Sequence, residues 1–162
     1  MNKELIFHAS TIVANGILCV FGILYTSLGI LKLHGLIFPE DTMREYLRLS
    51  NPVIFFLANR TVLGFAALVE ILVGMFVLRK GETVFARSGF LLWVTLAATA
   101  YRSALAHVHY NGPCGCLLGI NRFLPISAKT QRSVADIILV ATIVVAMVML
   151  IYARIITARE RK

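Results

Sequence analysis

Charge is scarce in this chain. Charged residues make up 15% of its 162 positions, against about a quarter in a typical soluble domain. Acidic groups are the scarcest, with eight Asp and Glu set against sixteen Lys and Arg for a formal net charge of +8. Short alternating apolar and polar segments are missing, which excludes a membrane β-barrel. No small-residue cleavage pattern closes the first apolar block, so that block is expected to be a retained helix, not a removed signal peptide. No basic stripe with interleaved aromatics occurs outside the helix ends. The positive charge therefore reads as membrane-surface attraction and topology setting, with no nucleic acid as partner. No internal repeat or low-complexity tract is present.

What the chain has instead is apolar length. Hydrophobic residues make up 59% of it, and they fall into four blocks at about 11–33, 53–78, 88–108 and 134–156. A soluble protein of this size cannot bury so much apolar surface, so lipid must cover the remainder. At about 1.5 Å rise per residue, each block is long enough as a helix to cross a hydrocarbon core of about 30 Å. Helix is required because backbone polar groups in lipid must be satisfied within the segment. The expected fold is all-α: one domain, 1–162, forming an integral membrane four-helix bundle with the lipid bilayer as its first partner.

With four spans, both ends of the chain and the second loop share one side. That side carries Lys3, Arg79, Lys80, Arg87, Arg154, Arg159, Arg161 and Lys162. The other carries Arg44, Arg48, Arg122, Lys129 and Arg132, with Lys32 at its border. The bias predicts cytoplasmic termini in a bacterial inner membrane, and outward first and third loops. In the first loop, Pro39-Glu40-Asp41-Thr42 reads as a helix start. Met43, Tyr46, Leu47 and Leu49 would give a short amphipathic helix lying on the membrane surface. The third loop, 109–133, holds Asn111-Gly112-Pro113-Cys114-Gly115-Cys116, whose Gly and Pro residues demand a tight turn. Ser127 reads as a cap before the last span.

The pair Cys114 and Cys116 carries the most chemistry. In a bent Cys-Gly-Cys segment the two α-carbons can approach within roughly 4.4–6.8 Å, the range a disulfide needs. Gly115 removes the steric obstacle to that bend. Such a ring is small and strained, and strained, exposed disulfides tend to be the labile or catalytic ones. Arg102 or Arg122 would stabilise a thiolate nearby. A fixed staple or two free thiols are the plainer alternatives. His107 and His109 precede the pair, and two imidazoles with two thiolates suit zinc or copper. The spacing matches no strong zinc signature, and residues two apart on a helix face different ways. Cys19 lies near the middle of the first span, where a lone cysteine packs as a small hydrophobe.

Ionisable groups inside the spans form the second candidate cluster. Arg60, Glu70 and Arg102 fall inside the second and third spans, and Asp136 just inside the fourth. Each costs at least roughly 2.5–3.5 kcal/mol at the bilayer centre, so they should face the bundle and pair. Arg60 and Arg102 are each about 10 Å below the outer end of their spans, near the level of Asp136, and Glu70 is roughly 15 Å deeper than Arg60. A network of Arg60, Arg102 and Asp136 beneath the cysteine loop is therefore within reach, and Glu70 would join through Arg102 if the helices tilt. It would tune thiol reactivity or relay protons, or else serve as a structural lock between helices.

Several segments together resemble the MauE/DoxX superfamily, and within it the MauE-like, redox-associated membrane proteins. They are Gly29-Ile30-Leu31-Lys32-Leu33, Leu68-Val69-Glu70-Ile71-Leu72-Val73-Gly74, Tyr101-Arg102, Pro113-Cys114-Gly115-Cys116-Leu117-Leu118-Gly119, and the lead from Ser127 to Asp136. The resemblance covers nearly the whole chain. It implies a four-helix membrane protein tied to thiol–disulfide chemistry outside the cytoplasm, with a thioredoxin-like partner. In methylamine utilisation the namesake is associated with maturation of the disulfide-rich small subunit of methylamine dehydrogenase.

Two function classes follow. In one, Cys114 and Cys116 exchange disulfides with a thioredoxin-fold partner, with a quinone as a further possible electron carrier that no motif establishes. In the other, the chain is a non-enzymatic membrane anchor for an assembly partner, and the cysteines only staple a loop.

Overall fold

The computed structural model describes residues 3–39, 41–79, 81–108 and 127–160. Five helices follow one another: α1 (Lys3–Ile37), α2 (Asp41–Arg48), α3 (Asn59–Leu78), α4 (Val84–His107) and α5 (Ala128–Glu160). The described residues include no β-strand, only an isolated antiparallel bridge between Ser50 and Ala58. Four helices are long and apolar enough to cross a membrane, with candidate spans Thr11–Ile37, Asn59–Leu78, Val84–His107 and Lys129–Ile156. Their outward faces carry Ile12, Val20, Phe65, Leu72, Trp93, Val144 and Ile151, all exposed. The fold defines an all-helical, multi-pass membrane protein.

Local chemistry sets the helix ends. α1 stops at Ile37 because Pro39 disfavours helical backbone in the residue before it. Thr83 caps α4, its Oγ accepting from the Ala86 amide at 3.1 Å, and Ser127 caps α5 by accepting from Thr130 at 3.2 Å. Each cap satisfies one of the amides that a helix start leaves without an intrahelical partner.

The second span departs from its apolar run. The run opens at Val53, yet the helix opens at Asn59. Asn51 is the cause. Its Oδ1 accepts from the amides of Val53 and Ile54, at 3.0 and 2.9 Å. Backbone bonds from Asn51 to Leu57 and from Asn59 to Leu49 then close a loop. The asparagine side chain outcompetes the helical ladder for these amides.

α2 also sits differently from the surface helix expected. Leu47 is buried against Leu36 and Leu63, with Met43, Tyr46 and Leu33 packed around them. The apolar side of α2 is therefore spent on the bundle, where α1 and α3 offer a hydrophobic seat, and not on the lipid.

Helices α1 and α3 pack antiparallel at backbone distance. A Cβ on Gly29 would lie 2.7 Å from the carbonyl oxygen of Ala67. One on Gly74 would lie 2.6 Å from the Gly22 oxygen and collide with Thr26. Small residues allow this approach, and van der Waals packing drives helix association where lipid removes the hydrophobic incentive. α4 packs along α5 as a second pair. The two pairs meet around Leu18, Tyr25, Val73, Val77, Leu91, Val94 and Ala146.

Candidate functional site

Polar side chains gather in the half of the bundle where α1 finishes, α2 lies and α5 begins, from its rim down to the middle of α3. Lys32 reaches from α1 to Glu70 on α3 and forms an ion pair with its Oε1. The two side chains are 6% and 19% exposed, so the pair is a buried one. Its attraction offsets the cost of taking both charges out of water. Lys32 is a partner for Glu70 that the expected network did not include. Glu70 faces α1, and the helix that brings it a cation is the one against which α3 packs most closely.

Arg102 pairs with Asp136 across α4 and α5 at 2.8 Å. Its Nη2 also donates to the carbonyl of Arg132 at 3.4 Å. That half of the expected network is present. Arg60 stands apart from the Arg102–Asp136 pair: it is exposed on the first turn of α3. The reason is the late helix start. With α3 opening at Asn59, Arg60 lies at the rim of its span instead of about 10 Å inside it.

Sequence reasoning missed an asparagine clasp at the start of α3. Asn51 donates from Nδ2 to Asn59 Oδ1 at 3.0 Å and to the Tyr101 hydroxyl at 2.6 Å. Asn59 Nδ2 donates to the Tyr46 carbonyl at 3.0 Å. Asn51 thus uses both its donors and both acceptor sites, and both asparagines are buried. Two asparagines bracketing an apolar run were the available signal, because a buried amide must find partners.

Two further polar contacts join the helix pairs. At mid-bundle, Tyr25 and Thr95 hydroxyls lie 2.8 Å apart. Thr95 gives its own hydrogen to the Leu91 carbonyl at 2.7 Å, so Tyr25 is the donor of the shared bond. At the opposite end, Arg87 of α4 donates to Asn15 Oδ1 on α1 and, at 3.3 Å, to the Val77 carbonyl on α3. Arg87 is buried, although the sequence places it among the loop charges. α4 begins at Val84, one turn before Arg87, which carries that side chain inside.

The cysteine chemistry is only partly in view. Cys114, Cys116 and His109 lie outside the described residues. His107 ends α4 and is exposed. Among the described residues no group of three or more His, Cys, Asp or Glu side chains is placed to hold a metal ion. Cys19 is exposed on α1 and unbonded, so it faces outward and does not pack in the core. The connection that carries Cys114 and Cys116 leaves α4 after Val108 and enters α5 at Ser127. Its two stems belong to the helices that the Arg102–Asp136 pair ties together, about 9 Å inside α4 and about 13 Å inside α5. Comparison of the chain with known protein families, with curated proteins and with solved structures finds no match.

Proposed function

We propose that this chain is a MauE-like membrane thiol–disulfide redox protein that serves an extracytoplasmic, thioredoxin-like partner. One observation carries the reading. The Cys-x-Cys connection runs between two helices tied together by a guanidinium–carboxylate pair, whose cation, Arg102, lies about 9 Å below the exit from α4. A cation near a cysteine favours the thiolate, the nucleophilic form.

In the exchange, the thiolate of one cysteine of the pair attacks a sulfur of the partner disulfide. A mixed disulfide forms and the partner's second sulfur leaves as a thiolate. The other cysteine then attacks the mixed disulfide and closes the Cys114–Cys116 bond. Two electrons have passed to the partner, whose dithiol takes up two protons. Run backwards, the same steps oxidise the partner. A quinone accepting two electrons and two protons would then recharge the pair. The setting is the bacterial inner membrane, with cytoplasmic termini and the cysteines outside. Maturation of methylamine dehydrogenase is the pathway that the resemblance brings to this reading.

Single Cys114→Ser and Cys116→Ser variants test it. One of them should accumulate a mixed disulfide with a partner, visible as a reducible higher band. If neither traps a partner while both still recruit one, the chain is an anchor and the cysteines are a staple.

A further inference from the structure

The loop between Asn51 and Asn59 has properties that a water-facing loop does not need. Its residues Pro52-Val53-Ile54-Phe55-Phe56-Leu57-Ala58 include no charge and no polar side chain. Phe55 and Phe56 are 79% and 75% exposed, and none of the other exposed large hydrophobics exceeds them. Their rings touch edge to face, with centroids 5.7 Å apart. Each such side chain carries about 150–250 Å² of apolar surface, and in water this display would be strongly unfavourable.

The backbone answers part of the other half: the neck amides are satisfied within the loop, while among the described residues no such bond holds the amides of Phe55, Phe56 and Ala58, which places the tip backbone at headgroup level with only its side chains deeper. Non-helical chain enters lipid only if its polar groups are satisfied internally. Here Pro52 has no amide hydrogen. The amides of Val53 and Ile54 go to the Asn51 side chain. Those of Asn51, Leu57 and Asn59 go to the carbonyls of Leu57, Ile54 and Leu49, at 2.8–2.9 Å. The neck is held by the Ser50–Ala58 bridge and by the buried Asn51–Asn59 clasp. The loop directly precedes α3, whose lipid-facing side continues with exposed Phe65, Leu68 and Leu72. Exposed Arg48 and Arg60 flank the neck, where their long stems let the guanidinium groups reach headgroup phosphates.

We infer that the Asn51–Asn59 loop is a preformed membrane wedge, which sinks Phe55 and Phe56 into the acyl region of the nearer leaflet while Arg48 and Arg60 hold its neck at the headgroups. The apolar run that opens the second span thus meets lipid through its side chains without being helical. The lipid role that α2 gives up by docking on the bundle passes to this loop. The inference stands independently of the redox reading.

The full-length chain in liposomes tests it by fluorescence. Trp93 is the sole tryptophan, so Trp93→Phe gives a silent background for Phe55→Trp and, separately, Phe56→Trp. A wedge gives blue-shifted emission that loses most of its intensity to lipids brominated high on the acyl chain and little to aqueous iodide. Red-shifted emission that is lost to iodide and untouched by bromolipids overturns the inference, and puts the loop in water where a protein partner would meet it. The unsubstituted protein gives a second reading that does not depend on a variant folding. In nanodiscs containing an acyl-chain diazirine lipid, carbene adducts should appear on residues 53–58 as they do on Phe65 and Leu68. Adducts on Phe65 and Leu68 without any on 53–58 overturn the wedge.

Discussion

Asn51 and Tyr101 are 2.6 Å apart, and that one bond ties the loop before α3 to α4. The same amide holds Asn59 and two loop amides, so a single side chain links the two helix pairs at the α2 end. Asn51→Ala should therefore do more than weaken one contact. It leaves the Val53 and Ile54 amides and the Asn59 carbonyl oxygen without their partner, at about 1–3 kcal/mol for each buried group left unsatisfied. A drop of several degrees in thermal stability in detergent checks this. Tyr101→Phe, which leaves the Asn51 bonds to Asn59, Val53 and Ile54 in place, should cost clearly less.

The Lys32–Glu70 pair predicts an asymmetry between single and double substitutions. Lys32→Met or Glu70→Leu alone takes one member from a buried ion pair, and breaking such a pair costs about 3–5 kcal/mol. The double substitution should recover most of that loss, because an apolar pair of similar volume needs no compensation in lipid. Unfolding of the four variants in denaturing detergent measures the coupling. Additive losses would show that the two side chains do not depend on each other.

Close packing of α1 on α3 makes Gly74 and Gly29 intolerant of size. Gly74→Val drives side-chain carbon into the Thr26 and Gly22 backbone, and neither can move aside without separating the helices. A loss of at least about 1–3 kcal/mol is expected from such overpacking. Gly16 and Gly81, where an added carbon meets nothing, should accept Ala with stability almost unchanged.

Arg102 separates support from chemistry in the cysteine connection. Arg102→Leu leaves Asp136 without this cation inside the fourth span, so some loss of stability is expected and the comparison is made on folded protein. If Arg102 stabilises a thiolate, alkylation of Cys114 and Cys116 by an impermeant reagent should slow in this variant, and Arg102→Lys should restore part of the rate. An unchanged rate would remove Arg102 from the exchange chemistry.

Much of this architecture is written in the residues themselves. Four apolar runs of helical length point to the four spans, and Ser127 is legible as a cap because a serine before a helix has few other uses. Arg102 and Asp136 are legible as partners because both charges fall at one depth. The second span's start is not legible from hydropathy. Val53 to Ala58 are as apolar as any helix, and only the local capture of amides by Asn51 diverts them. Lys32 is hidden for a related reason: a helix that continues to Ile37 turns a border residue into an interior one. The pairing of Glu70 depends on which helix lies alongside α3, a tertiary choice made by Gly29 and Gly74 rather than by depth. The cysteine pair stays a reading of sequence, since Cys114 and Cys116 fall outside the described residues.

Both ion pairs are internal to one half of the chain. Lys32 and Glu70 belong to the first two spans, and Arg102 and Asp136 to the last two. During biosynthesis each hairpin of spans therefore enters the bilayer carrying its own counter-charge. Neither half must wait in the translocon for the other before its ion-paired residues can be accommodated, and the two hairpins can be joined afterwards through uncharged tyrosine, threonine and asparagine contacts, with Arg87, among the described residues, the one buried charge that finds its partners across that joint.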